Sequence, residues 1–180
     1  MRAWPLCLLV AGCFQGVATV AKPTALELQL IGAYRNLDED LVRSASVRAT
    51  NGPSFETLAM DAIEARALQR FNEDDVLLLK GEGCLAETLA AKIVARDCAS
   101  ISDPTVARRR ERILQEENRC RATILGWAAH ELARREGRPE PSAAELEMLR
   151  QAYVRLVRDA ALPGHWVEAE PGRFEPVPPS

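Results

Sequence analysis

His165 stands beside Trp166 just after Pro163-Gly164, and His130 precedes Glu131; the chain has no other histidine. A histidine does acid–base work only with a nucleophile or a carboxylate held against it. His130 lacks the second histidine four residues away that a zinc-protease helix requires, so a solvent-facing or locally bonded side chain is expected. His165 lies in a loop, where functional groups concentrate. With no partner evident in the sequence, its expected role is structural capping. The carboxylate runs Asp38-Glu39-Asp40 and Glu116-Glu117 fall on helical stretches and read as solvated faces, since paired acids need a cleft that splits their pKa values. No Gly-x-Ser-x-Gly elbow is present, and Gly81-Glu82-Gly83 lacks the third glycine of a dinucleotide loop. The expectation is a protein that is not an enzyme, with no cofactor and no metal centre.

Arg108, Arg109, Arg110 and Arg112 crowd the start of a helix, where cations are disfavoured by a few tenths of a kcal/mol. Their expected partners are Asp103, Glu111 or Glu116. The sharper alternative is contact with anionic lipid headgroups or an acidic partner. The net charge of −3 is well mixed, which argues against a nucleic-acid surface.

A thiol chemistry is written at the N-terminus. Arg2 supplies a positive start, Leu6 to Val10 a short apolar run, and Val10-Ala11-Gly12 precede Cys13. This is the layout of a secretory leader, far shorter than the roughly 20 apolar residues of a spanning helix. The string Val10-Ala11-Gly12-Cys13 resembles the lipobox of bacterial lipoproteins, in which the cysteine sulfur takes a diacylglyceryl group and the leader is cut away ahead of it. Residues 1–12 are therefore expected to be a signal peptide and Cys13 the lipidated N-terminus. The alternatives are a plain signal peptide and a short buried apolar segment. Two or three acyl chains make a lasting anchor, at about 0.8 kcal/mol per buried CH₂. Phe14 stands where an Asp would favour inner-membrane retention, so the periplasmic face of the outer membrane is the expected location.

Cys84, Cys98 and Cys120 remain for the body of the protein. In an oxidising compartment a Cys84–Cys98 disulfide would close a loop of about 15 residues and stabilise by roughly 3 kcal/mol. The alternative is that all three are small buried hydrophobes.

The elements that position these groups are mostly helical, because the composition is rich in Ala, Leu, Glu and Arg and only 5% aromatic. Residues 13–23 form a tether. Thr24-Ala25-Leu26-Glu27 has capping-box spacing and opens a helix with Leu26, Leu30, Tyr34, Leu37, Leu41 and Ala45 on one stripe. Asn51-Gly52-Pro53 turns the chain. A second helix is expected over 54–71, with Phe55, Leu58, Ala62 and Ile63 inward. Asn72 should cap a short third one that stops at Gly81. Thr88 to Val94 reads as a short strand, an ordered loop or a helical turn.

Asp103-Pro104 caps a long helix running to Gly137, with Ile113, Cys120, Ile124, Trp127, Ala128 and Leu132 inward. Arg110 and Glu117 interrupt its apolar row, so a strict coiled-coil heptad fails. Ser142-Ala143-Ala144-Glu145 is a second capping box, starting a helix with Leu146, Leu149, Tyr153, Leu156 and Val157 on one side. His165 to Phe174 fits a hairpin around Pro171-Gly172, and residues 177–180 form a frayed tail. The expected fold is mostly α, about five helices around one core with a small C-terminal β-hairpin, over residues 24–176.

Lys80-Gly81-Glu82-Gly83-Cys84-Leu85-Ala86-Glu87, then Glu116-Glu117-Asn118-Arg119-Cys120-Arg121, then Arg158-Asp159-Ala160-Ala161-Leu162-Pro163-Gly164-His165-Trp166-Val167 resemble, in that order, the YdbL-like family of bacterial envelope proteins. Gly172-Arg173-Phe174 stands where that family has a Gly-aromatic ending. Leu26 to Ala49, with Leu37-Asp38-Glu39-Asp40 and Ala45-Ser46-Val47-Arg48-Ala49, resembles the N-terminal extension of its larger lipoprotein members, which divides the body into an N-terminal helical part, 24–80, and a YdbL-like part, 81–176. The chain departs from the pattern at Thr88-Leu89-Ala90-Ala91, where the family has an Asn-Gly turn. The resemblance carries no catalytic residues. It implies an accessory partner for large membrane-bridging proteins that move lipid.

The leading expectation is thus a non-enzymatic, membrane-anchored accessory or scaffold in envelope assembly or lipid transport. Its partners are the bilayer, through acylated Cys13, and an envelope protein. The alternatives are a small-ligand or lipid carrier, which needs an apolar cavity of about 300 Å³, and an envelope hydrolase with a loop site near His165.

Overall fold

The structure is a computed structural model that describes residues 23–46 and 57–179. The leader, Cys13, nearly all of the tether, the Asn51-Gly52-Pro53 turn and Phe55 lie outside the described residues.

Four α-helices are present among the described residues: α1 (Ala25–Ser46), α2 (Thr57–Gly81), α3 (Pro104–Arg135) and α4 (Ala143–Asp159). Their starts follow from local chemistry. Thr24 N donates to Glu27 Oε2 at 2.7 Å and Glu27 N to Thr24 Oγ1 at 3.3 Å, a reciprocal capping box. Asp103 Oδ1 accepts from Thr105 N at 2.7 Å, with Pro104 at the first helical position. Ser142 and Glu145 close the same box ahead of α4. At its far end α3 stops at Gly137, whose φ of 73° a side chain would resist.

A helix break is expected at Asn72, but α2 runs through it. The residue is 1% exposed, and its Nδ2 donates sideways to Glu116 Oε2 of α3 at 2.8 Å instead of capping a new helix. Ala62, Ala65, Gln69, Asn72, Val76 and Leu79 are all buried at spacings of three and four, so one uninterrupted inner row spans both expected helices. Among the described residues the α-helices therefore number four, not five. Leu58, expected inward, is 46% exposed, while Ala62 and Ile63 are buried as expected.

The β structure exceeds the expected hairpin. Strands β1 (Leu85–Glu87), β2 (Ile93–Ala95), β3 (Trp166–Glu170) and β4 (Arg173–Pro176) form one sheet in the order β2-β1-β3-β4. β3 and β4 are the expected C-terminal hairpin. β1 pairs parallel with β3, placing Ala86 opposite Trp166 and Glu87 opposite Val167. β1 and β2 are antiparallel around a tight turn in which Thr88 N donates to Lys92 O and Lys92 N to Thr88 Oγ1. Ala91 in that turn has φ of 60°. The edge strand β2 is held to α3 by the Asn118 amide, which accepts from Ile93 N at 2.8 Å and donates to Ile93 O at 2.9 Å. Val177, expected to fray, exchanges two hydrogen bonds with the 164–165 backbone.

α3 is the spine. Ile124 packs with Leu37 and Ala62 between α1 and α2, Ala129 with Leu30 and Leu149 between α1 and α4, and Ile113 with Leu79, Leu85 and Ile93 under the sheet. Trp127 and Leu132, expected inward, are partly buried. Among the described residues no helix is long and apolar enough to cross a membrane.

Candidate functional site

Where α2, β1 and α3 meet, the core is ionic. Arg121 and Glu117 stand one helical turn apart on α3, and both are buried. Arg121 Nη1 donates to Glu87 Oε2 at 2.6 Å and Nη2 to Glu87 Oε1 at 2.9 Å, a bidentate pair to the strand. Its Nε donates to Glu117 Oε1 at 2.7 Å. Lys80, near the end of α2, donates to Glu87 Oε1 at 2.5 Å, and Gln69 Nε2 donates to Glu117 Oε1 at 3.0 Å. Two carboxylates thus face two cations, and the buried charge closes to zero.

The aromatic surroundings belong to the same unit. The Arg121 guanidinium lies 5.1 Å from the Tyr153 ring centre, and Tyr153 stacks on Tyr34 at 6.1 Å. Arg66, bidentate to Asp38 at 2.7 and 3.0 Å, lies 5.0 Å from the Tyr34 ring centre. Asp38 is paired but stays partly solvent-exposed, whereas Glu117, expected on a solvated face, is buried. An open cleft of about 210 Å³ lies over the network, bordered by Tyr34, Arg66, Gln69, Lys80 and Arg121.

Burial alone would raise the Glu87 carboxyl, but the Arg121 and Lys80 charges outweigh it and hold it down to about 2. The phenols of Tyr34 and Tyr153 are pushed up, chiefly by burial. Glu87 accepts three charge-assisted bonds and stays ionised at neutral pH, so it is poorly placed to take a proton from a substrate. The arrangement ties three elements together.

His165 reaches the edge of this region. It is buried, its Nδ1 accepts from Leu162 N at 3.3 Å, and its pKa is lowered by burial and by Lys80. That bond is the structural capping expected from sequence. His130 Nδ1 lies 3.7 Å from Glu140 Oε2 at the surface.

Cys84 and Cys98 are joined in a disulfide with Cα atoms 5.0 Å apart, and Cys120 is free and buried. The bridge ties the entry of β1 to the 3₁₀ turn Ala99–Ser102 ahead of α3, where Ser100 Oγ donates to Glu82 Oε2 at 2.7 Å. The four arginines divide. Arg109 Nε donates to Asp75 Oδ2 at 2.7 Å, and Arg110 Nη1 to the Arg96 carbonyl at 2.6 Å. Neither uses the expected partners Asp103, Glu111 or Glu116. Arg108 and Arg112 are exposed on α3.

Among the described residues no group of three or more His, Cys, Asp or Glu side chains could hold a metal. The cleft between α1, α3 and α4 around Leu30, Trp127 and Leu149 has room for about 50 Å³. That is well short of the ~300 Å³ at which small-molecule pockets begin, whereas two larger clefts, of about 590 Å³ at Lys92, Glu147, Arg150 and Glu168 and of about 470 Å³ at Asp61, Glu64 and Arg119, are open and bordered by charged side chains. The sequence reading missed the network, although Glu117 breaking the apolar row of α3, with Arg121 four residues on, was its trace. Compared with protein-family models, with curated proteins and with solved structures, the chain finds no match.

Proposed function

We propose that this chain is an exported lipoprotein, cut ahead of Cys13 and held on a membrane by acyl chains on that sulfur. Its helical body acts as a non-enzymatic accessory or scaffold in envelope assembly or lipid transport. The Cys84–Cys98 disulfide carries the reading from the structural side, because structural disulfides persist in oxidising compartments and are rare in reducing ones. Together with Val10-Ala11-Gly12-Cys13 at the end of an apolar run, it favours export over a cytosolic address. The outer-membrane location rests on Phe14 following the cysteine.

The likeness to YdbL-like proteins is part of the same proposal. Its support is that the quoted stretches meet in space. Lys80 and Glu87 from the first, Glu117 and Arg121 from the second, and Trp166 and Val167 from the third assemble at one junction.

Fractionation tests the anchoring. The native chain is expected in the membrane pellet after an alkaline wash and in the detergent extract, with Cys13→Ser moving it to the soluble envelope fraction. A Cys13→Ser chain that stays in the pellet, or a native chain that is soluble, would overturn the reading.

A further inference from the structure

The outer face of α2 repeats the spacing of its inner face. Met60, Glu64, Ala67, Phe71, Asp74 and Leu78 follow one another at intervals of four and three, the period of a helix–helix seam, over about 27 Å. This row is not packed. Phe71 is 79% exposed, Leu78 52% and Met60 38%. A phenyl ring so exposed at the centre of an apolar row is unusual for a face meant for water alone.

The two carboxylates in the row decide what can cover it. Glu64 and Asp74 are both exposed, and neither is in an ion pair found among the described residues. A second copy packed antiparallel would set Glu64 against Asp74 twice, and a parallel, in-register copy would set each carboxylate against itself. Like charges across a seam are destabilising, so self-pairing is disfavoured in both symmetric arrangements. A bilayer surface would have to draw both carboxylates toward its apolar layer, which is costly. A foreign helix with apolar seam positions and cations opposite Glu64 and Asp74 meets neither objection. The groove beside the row, between α2 and α3, adds Asp61 and one cation, Arg119, leaving the face net acidic.

We propose that this face is a docking seam for an amphipathic helix of another protein, carrying two basic residues ten positions apart among apolar seam residues. The proposal gives a chemistry to the partner in the accessory reading and rests on that reading only for where the partner resides.

The test uses two synthetic helical peptides of identical leucine-rich seam, one with lysine and one with glutamate at the two positions ten apart. Each is titrated by fluorescence anisotropy against the native chain, in phosphatidylcholine nanodiscs or free in solution as purification delivers it. The lysine peptide is expected to bind at least about tenfold more tightly, the scale of a close charge pair. Glu64→Lys combined with Asp74→Lys should invert that preference, and Phe71→Ser should weaken binding with an unchanged circular-dichroism melt. Equal affinities, or a preference untouched by charge reversal, would overturn the proposal. So would a native dimer that Phe71→Ser dissolves, or vesicle flotation abolished by Phe71→Ser; these would assign the face to a second copy or to a bilayer. The titration reads the seam whether or not Cys13 is acylated, and acyl mass reads the anchor whether or not the seam binds.

Discussion

Arg121 and Glu87, thirty-four residues apart in sequence, meet as a bidentate ion pair at 2.6 and 2.9 Å in the interior, where α3 passes under β1. Neither group could be left there alone. A single buried charge costs several kcal/mol, and the pair repays that only because Glu117 and Lys80 complete it. The junction therefore fixes how α2, α3 and the sheet sit together, and its charges hold register more than they add net stability.

Removing one partner should be severe. Glu87→Gln leaves Arg121 and Lys80 facing each other without their shared counter-charge, and a loss of about 3–5 kcal/mol is expected. Urea unfolding followed by circular dichroism measures it. The triple variant Glu87→Gln, Arg121→Met and Glu117→Gln should recover part of that loss, because neither the orphaned guanidinium nor an unpaired Glu117 carboxylate then remains buried.

Acid should weaken the same junction. The Glu87 carboxyl is held near 2 in the fold against an ordinary 4.5, so its contribution is present above about 4.5 and is lost as pH falls toward 2. The shift corresponds to about 3 kcal/mol. Glu145, also held near 2 by Arg138 and then by Ser142, titrates in the same window. The diagnostic is thus a difference: the acid limb of stability against pH should be shallower in Glu87→Gln than in the native chain.

Cys84–Cys98 should be worth about 3 kcal/mol for a loop of its length. Melting with and without a strong reductant reads the effect, and Cys84→Ala with Cys98→Ala should reproduce the reduced curve. Coincident oxidised and reduced melts would show that the bridge contributes nothing to stability.

Ala91 occupies a left-handed turn position at φ 60° while its methyl is buried. Ala91→Gly relieves the backbone but loses packing and raises chain entropy, so a change within about 1 kcal/mol of zero is expected. Ala91→Val adds a β-branch where the backbone tolerates it least and should destabilise by about 2 kcal/mol or more. Thermal melts of the two variants give the ordering.

What the sequence made legible was local. The capping boxes at Thr24 and Ser142, the Asp103-Pro104 start and the Gly137 stop are each written within a few residues, and each is in the structure. Asn72 differs from its expected capping role because an asparagine favours caps by its own chemistry, whereas here Glu116, forty-four residues on, recruits its amide. The parallel pairing of β1 with β3 brings Ala86 to Trp166, and no local pattern encodes a partner that far away. Glu117 reads as a solvated carboxylate because an i,i+4 pair with Arg121 is ordinary on a helix surface; its burial and its second donor, the Gln69 amide of α2, come only with packing.

The anchored-lipoprotein account turns on the sulfur of Cys13, and mass spectrometry of the N-terminal peptide from the native, membrane-extracted protein tests it most directly. The expected result is a peptide that begins at Cys13, with residues 1–12 gone, and carries the mass of a diacylglyceryl group. A peptide that begins elsewhere, or an unmodified Cys13 thiol, would contradict it.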